Sequence, residues 1–261
     1  MNKLPGAEAG VLEKGEDIMT INTNKTVREI AVEVPSATRV FEKFGIDYCC
    51  GGGKGLGEAC VQAKLPVDQV LRDLEQAESS RIARQENARD WSSEPLADVI
   101  GEIVQKHHAF VKAEIPRLSS LAEKVSSKHG EHHPETVKVN ELFSALADEL
   151  SMHLMKEEQI LFPYMIRMEE AAVAKEPMIP SSCFGTVQNP IHMMVSEHDS
   201  AGETLRALRE STADYKVPDD ACTSYRTLYT GLLEFEADLH QHIHLENNIL
   251  FPRAVAMEEG R

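Results

Sequence analysis

The chain has 261 residues, 42% of them hydrophobic and 27% charged, with a formal charge of −16 and five cysteines. That size suffices for one good core and a smaller second one, and the acidic balance excludes nucleic acid or an anionic membrane surface as the main partner, since both select a basic footprint. No apolar run approaches the roughly 18–20 residues of a membrane span, and Met1 to Thr20 lacks the apolar stretch of a secretory signal, so a cytoplasmic protein is expected.

Aromatic residues make up only 5% of the chain, strand-like alternation is rare, and Glu, Ala, Leu, Lys and Met are plentiful, which together predict an all-α fold. An odd cysteine count suits a reducing compartment with free thiols better than a disulfide framework.

Residues 1–22 are rich in Gly and Glu without apolar periodicity, with a second methionine at Met19, and read as a disordered tail or an upstream start-site extension. Thr26-Val27-Arg28-Glu29 is a capping box that opens a short helix; Pro35-Ser36 stops it and starts another, which Gly45 ends. These two helices lead into Asp47-Tyr48-Cys49-Cys50-Gly51-Gly52-Gly53. A short helix near 57–63 and a longer one from Pro66 follow, then a charged stretch over 79–90 that marks a linker. This places a small helical domain over 23–88 and a second domain over 89–261.

The second domain predicts four long amphipathic helices: from Pro95 to about Lys128 with a bend at Pro116, from Pro134 to about Ala172, from Asn189 to Ser211, and from Pro218 to near the end. Short connections between them make an antiparallel four-helix bundle.

One stretch occurs twice. His153-Leu154-Met155-Lys156-Glu157-Glu158-Gln159-Ile160-Leu161-Phe162-Pro163 returns as His242-Ile243-His244-Leu245-Glu246-Asn247-Asn248-Ile249-Leu250-Phe251-Pro252, so both copies read H-x-x-x-E-x-x-I-L-F-P. In a helix the i, i+4 spacing stacks imidazole and carboxylate on one face, about 5–6 Å apart at Cβ. A single such pair is commonplace on solvated faces; two copies in matched apolar segments form chelating pairs. His108 and His198 lie 90 positions apart and His153 and His242 lie 89 apart, so each half carries a lone histidine and then a His-Glu pair.

All four histidines fall on apolar stripes, among them Val104, His108, Val111 and Ile115, and Met194, His198, Ala201 and Leu205. Two carboxylates and four imidazoles buried without partners would cost several kcal/mol per charge, so a strong cation is required among them. The donors are borderline-hard and contain no thiolate, which suits iron or manganese in a dinuclear site rather than structural zinc. Glu149, one turn before His153, and Glu197, beside His198, are candidates to orient the ligands. His107, His240 and His244 lie on less apolar faces and are assigned surface or supporting roles. His129, His132 and His133 fall in a polar loop and are expected to be solvated, and His192 has no assignment.

Vicinal Cys49-Cys50 in a glycine-rich turn is either a pair of inert thiols or a reactive site in which loop exposure and adjoining N–H groups favour thiolate. Cys60, Cys183 and Cys222 have no such context and are read as structural.

The pattern His108, His153-x-x-x-Glu157, His198 and His242-x-x-x-Glu246 resembles a hemerythrin-like domain. Together with Asp47-Tyr48-Cys49-Cys50-Gly51-Gly52, the architecture from about 24 to 258 resembles the RIC family of di-iron proteins for repair of iron–sulfur clusters. The resemblance implies two iron ions in an oxo-bridged non-haem di-iron centre, with the four histidines as terminal ligands and Glu157 and Glu246 as bridges. It also implies Cys49 and Cys50 as redox or nitrosyl thiols, iron–sulfur proteins as clients, nitric oxide or oxygen as small ligands, and often a homodimer. The expected role is repair of clusters after nitrosative or oxidative stress by supplying iron. A di-iron nitric oxide reductase or peroxidase and an oxygen or nitric oxide sensor are the alternatives, so whether the protein is an enzyme stays open.

Overall fold

The computed structural model describes residues 23, 25–83, 89–177 and 183–260. The tail expected over 1–22 and the linker boundary expected near 88 lie outside the described residues. Among those described, the expected all-α fold forms without a strand; an isolated bridge joins Thr26 to Gly55. No described helix is long and apolar enough to cross a membrane.

The N-terminal helices follow their local signals. Thr26 and Glu29 close the capping box on α1 (Val27–Glu33). Gly45, at φ 65°, ends α2 (Ala37–Phe44) in the left-handed conformation that glycine adopts without a Cβ penalty. With α3 (Leu56–Gln62) and α4 (Val67–Ala83) these helices enclose a small core that includes Ile30, Phe41, Tyr48, Leu56 and Leu74.

Four rods form the bundle. The first joins α5 (Leu96–Glu102) through a π-helical turn (Ile103–His108) to α6 (Ala109–His129). The second joins α7 (Glu135–Lys156) through a π turn (Glu157–Leu161) to α8 (Phe162–Ala174), and the third is α9 (Gln188–Ser211). The fourth joins α10 (Thr223–His244) through a π turn (Leu245–Leu250) to α11 (Phe251–Glu258). Pro116 lies within α6. The fourth rod begins at Thr223 rather than Pro218 because Ala213, Asp214 and Tyr215 take positive φ and turn the chain, and buried Tyr215 anchors this loop by donating to Glu236 at 2.6 Å.

α6 packs on α7 and α10, and α7 packs on α9. Each π turn admits one extra residue per turn and so shifts the phase of the apolar stripe. Pro163 and Pro252, which have no N–H to contribute, stand just past two of these turns. The apolar interior accordingly falls into two clusters. One contains Val111, Phe143, Leu150, Leu205, Phe235 and Leu239; the other contains Leu96, Ile103, Phe162, Met165, Met194 and Phe251. The duplicated histidines and glutamates occupy the layer between them.

Candidate metal centre

His108, His153, Glu157, His198, His242 and Glu246 are all buried, and both glutamates are fully enclosed. Their donor atoms form two groups of four, His108, Glu157, His242 and Glu246 in one and His153, Glu157, His198 and Glu246 in the other, each group within 4.8 Å. Both carboxylates belong to both groups, whereas each group has its own two imidazoles.

Three imidazoles are aimed by acceptors outside the layer. His108 Nδ1–H donates to Glu158 Oε1 at 2.8 Å, His153 Nδ1–H to Glu197 Oε2 at 2.8 Å, and His198 Nδ1–H to Asn247 Oδ1 at 2.8 Å. Because a carboxylate or amide oxygen only accepts, the proton sits on Nδ1 and the Nε2 lone pair is turned inward. Lys112 pairs with Glu158 and Lys156 with Glu197, fixing both carboxylates. His242 is held differently: its Nδ1 has no hydrogen-bond partner, and its ring stacks on buried His107 with centroids 6.0 Å apart.

The inward atoms crowd one another. His108 and His242 Nε2 lie 3.1 Å apart, as do His153 and His198 Nε2, and neither oxygen of Glu157 receives a donor in hydrogen-bond geometry. Protons are shared unevenly across this crowded set. Burial opposes protonation of His108 and His198, but the enclosed carboxylates outweigh it and lift their pKa values to about 10 and about 9. Burial and the charge of Glu246 push Glu157 up to about 8, whereas burial and the neighbouring imidazoles push His153 down to about 4. Glu246 is held well below the usual carboxylate range: burial works against this, and His242, His108 and His198 overcome it. Converging lone pairs and unpartnered buried oxygens are the donor set of a cation site, so the residues present fit a metal.

Two family descriptions match the chain. Residues 99–254 match the hemerythrin HHE cation binding domain, and residues 23–78 match a domain of unknown function (DUF542). The iron-sulfur cluster repair protein YtfE of Escherichia coli O81 (strain ED1a) is 38% identical over 230 residues, covering 88% of this chain and 96% of that protein. The protein of the same name from Escherichia fergusonii is 37% identical over the same shares. The chain belongs to the family of iron–sulfur cluster repair proteins.

In this member of the repair family, the cysteine turn packs directly against the bundle. Cys50 Sγ lies 3.5 Å from the backbone oxygen of His198, and Cys49 Sγ lies 3.8 Å from Cys50 Sγ. The N–H groups of Cys49 and Cys50 both donate to Asp47 Oδ1, at 3.1 and 3.0 Å. They are thereby unavailable to a thiolate, and the bonded neighbour Cys50 together with burial pushes the Cys49 thiol up. Cys49 is thus a buried thiol, while Cys50 lines a cavity of about 540 Å³ with Asp47, Lys54, Glu203 and Arg206.

The structure brings Glu197 to His153, but leaves Glu149 exposed and bonded to Ser200 at 3.3 Å. Glu158 and Asn247 hold His108 and His198, for which sequence reasoning assigned no partner. Both directly follow the shared carboxylates, at the same place in the two copies, and that matched position was the available signal. His107 and His244 are buried rather than on the surface: His107 bonds Asp238 Oδ1 at 2.9 Å and His244 packs edge-on against Tyr48. Contrary to the structural reading, Cys183 and Cys222 are exposed, while Cys60 is buried. His129 and His133 are half-buried and hydrogen-bonded rather than solvated.

Proposed function

We propose that the protein holds two iron ions between its long helices, with Glu157 and Glu246 as bridges and His108, His153, His198 and His242 as terminal ligands. It uses this iron to restore iron–sulfur clusters damaged by nitrosative or oxidative stress. The observation that carries this reading is the pair of four-donor groups sharing both carboxylates. The thiolate-free donor chemistry favours iron or manganese over structural zinc, and relatives named for cluster repair extend over 88% of the chain.

Iron bound there would supply redox chemistry and a transferable ion. The chain itself keeps the site poised for release. Glu158, Glu197 and Asn247 hold three imidazoles in the metal-binding tautomer, and every ligand must be free of its proton to bind, so protons compete with the cation. We assign this activity to a cytoplasmic protein whose residues 23–88 present Cys50, with buried Cys49 beside it, for redox or nitrosyl chemistry and whose residues 89–261 store the metal. Its clients are iron–sulfur proteins. The test mixes iron-loaded protein with an enzyme whose cluster has been removed or nitrosylated. Activity is expected to return beyond that given by equal free ferrous iron, and no gain over free iron would sink the repair role.

One observation favours a second reading, turnover of a small molecule. A cavity of about 520 Å³, lined by Leu150, Met152, His153, Glu197, His198 and Ala201 among others, opens beside one donor group. It would give nitric oxide or oxygen an approach. Stopped-flow consumption of nitric oxide over many turnovers, with an electron donor present, separates an enzyme from a repair or sensing protein.

A further inference from the structure

About 30 Å along α6 from His108, at 1.5 Å per residue, a second set of donors gathers that the central site does not use. We propose that His129, His133, Asp220 and Cys222 bind a divalent cation of the zinc class. His129 and His133 are spaced i, i+4, and the His133 N–H donates to the His129 carbonyl at 2.7 Å, closing one turn beyond the end of α6 that sets the two rings side by side. Asp220 and Cys222 stand two residues apart on the loop that leads into α10. The two segments face each other donor to donor, with His129 Nε2 3.1 Å from Cys222 Sγ and His133 Nε2 3.1 Å from Asp220 Oδ2.

The setting of His133 between two carboxylates carries the inference. Its Nδ1–H donates to Glu135 Oε1 at 3.0 Å, and the same carboxylate oxygen accepts Tyr225 O–H at 2.9 Å. His133 Nε2 faces Asp220 Oδ2, which also only accepts, so the ring bridges two carboxylates with a proton on each nitrogen, and a cation of the zinc class would take the place of the Nε2 proton. A histidine whose far nitrogen is tied to a carboxylate is the arrangement that orients metal ligands. Both rings also rest on the fully buried Tyr225, with centroids 5.4 Å from it for His129 and 5.6 Å for His133. The donors stand as two facing pairs, with the imidazole centroids 6.2 Å apart; Asp220 and Cys222 are exposed, so rotation of these two side chains would bring them onto one ion beside the rings.

Two imidazoles, a thiolate and a carboxylate select a borderline cation and favour zinc over magnesium or manganese. The central set, which lacks a thiolate, has the opposite bias. A cation here would clamp the turn after α6 to the loop before α10.

The proposal is tested on full-length protein whose central site is already filled, by titration with Co²⁺ in place of Zn²⁺. One further equivalent is expected, with the intense visible bands of tetrahedral cobalt and a thiolate charge-transfer band. Cys222→Ser and His133→Ala should abolish both bands while central metal content and helical circular dichroism stay unchanged. Cys49→Ser/Cys50→Ser should leave them intact, and Glu135→Gln should weaken binding about 10–100-fold. Absence of the extra equivalent, a six-coordinate spectrum without the thiolate band, or a spectrum that survives Cys222→Ser would overturn the proposal.

Discussion

The two copies of H-x-x-x-E-x-x-I-L-F-P share six letters and live in different surroundings. In the first, Ile160 is 47% exposed and the neighbouring methionines Met152 and Met155 face outward; in the second, Ile249 is 6% exposed and every residue from His242 to Leu250 is buried. The cover comes from the N-terminal helices. Asn248 donates to the backbone oxygen of Tyr48 at 3.0 Å, Gln241 donates to Glu42 at 3.3 Å, and the Tyr48 ring lies 5.4 Å from that of His244. Support of the buried imidazoles differs in the same sense. The first copy uses ion-paired carboxylates at the bundle edge, Glu158 with Lys112 and Glu197 with Lys156, while the second uses the neutral, buried Asn247 and leaves His242 Nδ1 without a partner. The shared letters therefore specify what faces the buried His-Glu layer, and a distant part of the chain decides what covers the other side.

The comparison breaks most completely at the shared carboxylates. Either Glu157→Leu or Glu246→Leu removes a donor from both four-residue groups, so both copies should fail together, with metal content of the purified protein falling towards zero in elemental analysis. Loss of only one ion would show that the glutamates are not shared. Next come the matched isoleucines: Ile249→Ala should cost about 2–5 kcal/mol in denaturant unfolding, whereas exposed Ile160→Ala should stay within about 0.5 kcal/mol. Equal costs would contradict the cover provided by the N-terminal helices.

Acid should act on the second copy through His244, where the first copy has Met155. Burial, with Arg28 nearby, pushes the pKa of His244 down to about 4 from 6.5. The folded state disfavours the imidazolium, so the stabilisation is present above pH 6.5 and is lost as pH falls towards about 4, at most about 3 kcal/mol at 1.36 kcal/mol per unit. His244→Gln should flatten that part of the stability profile, and an unchanged profile would remove His244 as the cause. The smallest contrast concerns the supports, since Asn247→Ala and Glu158→Ala should each weaken metal binding about 10–100-fold. Only the Glu158 variant should also lose salt sensitivity, because its partner Lys112 is exposed.

The convergence of His108, His153, Glu157, His198, His242 and Glu246 was legible because helix geometry converts spacing into a shared face, and the duplication repeats the spacing independently. The capping box at Thr26 and the glycine cap at Gly45 were legible for the same local reason. What escaped depends on contacts remote in sequence. Nothing near His244 or Asn248 announces that Tyr48 will cover them, and Glu149 sits at the expected spacing yet points to Ser200 because α9 presents Glu197 to His153 instead. The π turns also left no direct letter in the sequence. Pro163 and Pro252 mark only where two of them have finished.

Those π turns have a mechanical consequence. Upstream and downstream of each turn, one helix serves two different apolar clusters, and the layer that joins the clusters is made of charge rather than hydrocarbon. The bundle is therefore two oily blocks mortared by a polar seam, and whatever neutralises the seam sets how tightly the blocks move as one. Loss of a cation held there would take the mortar with it, so emptying the site and loosening the container would be the same event.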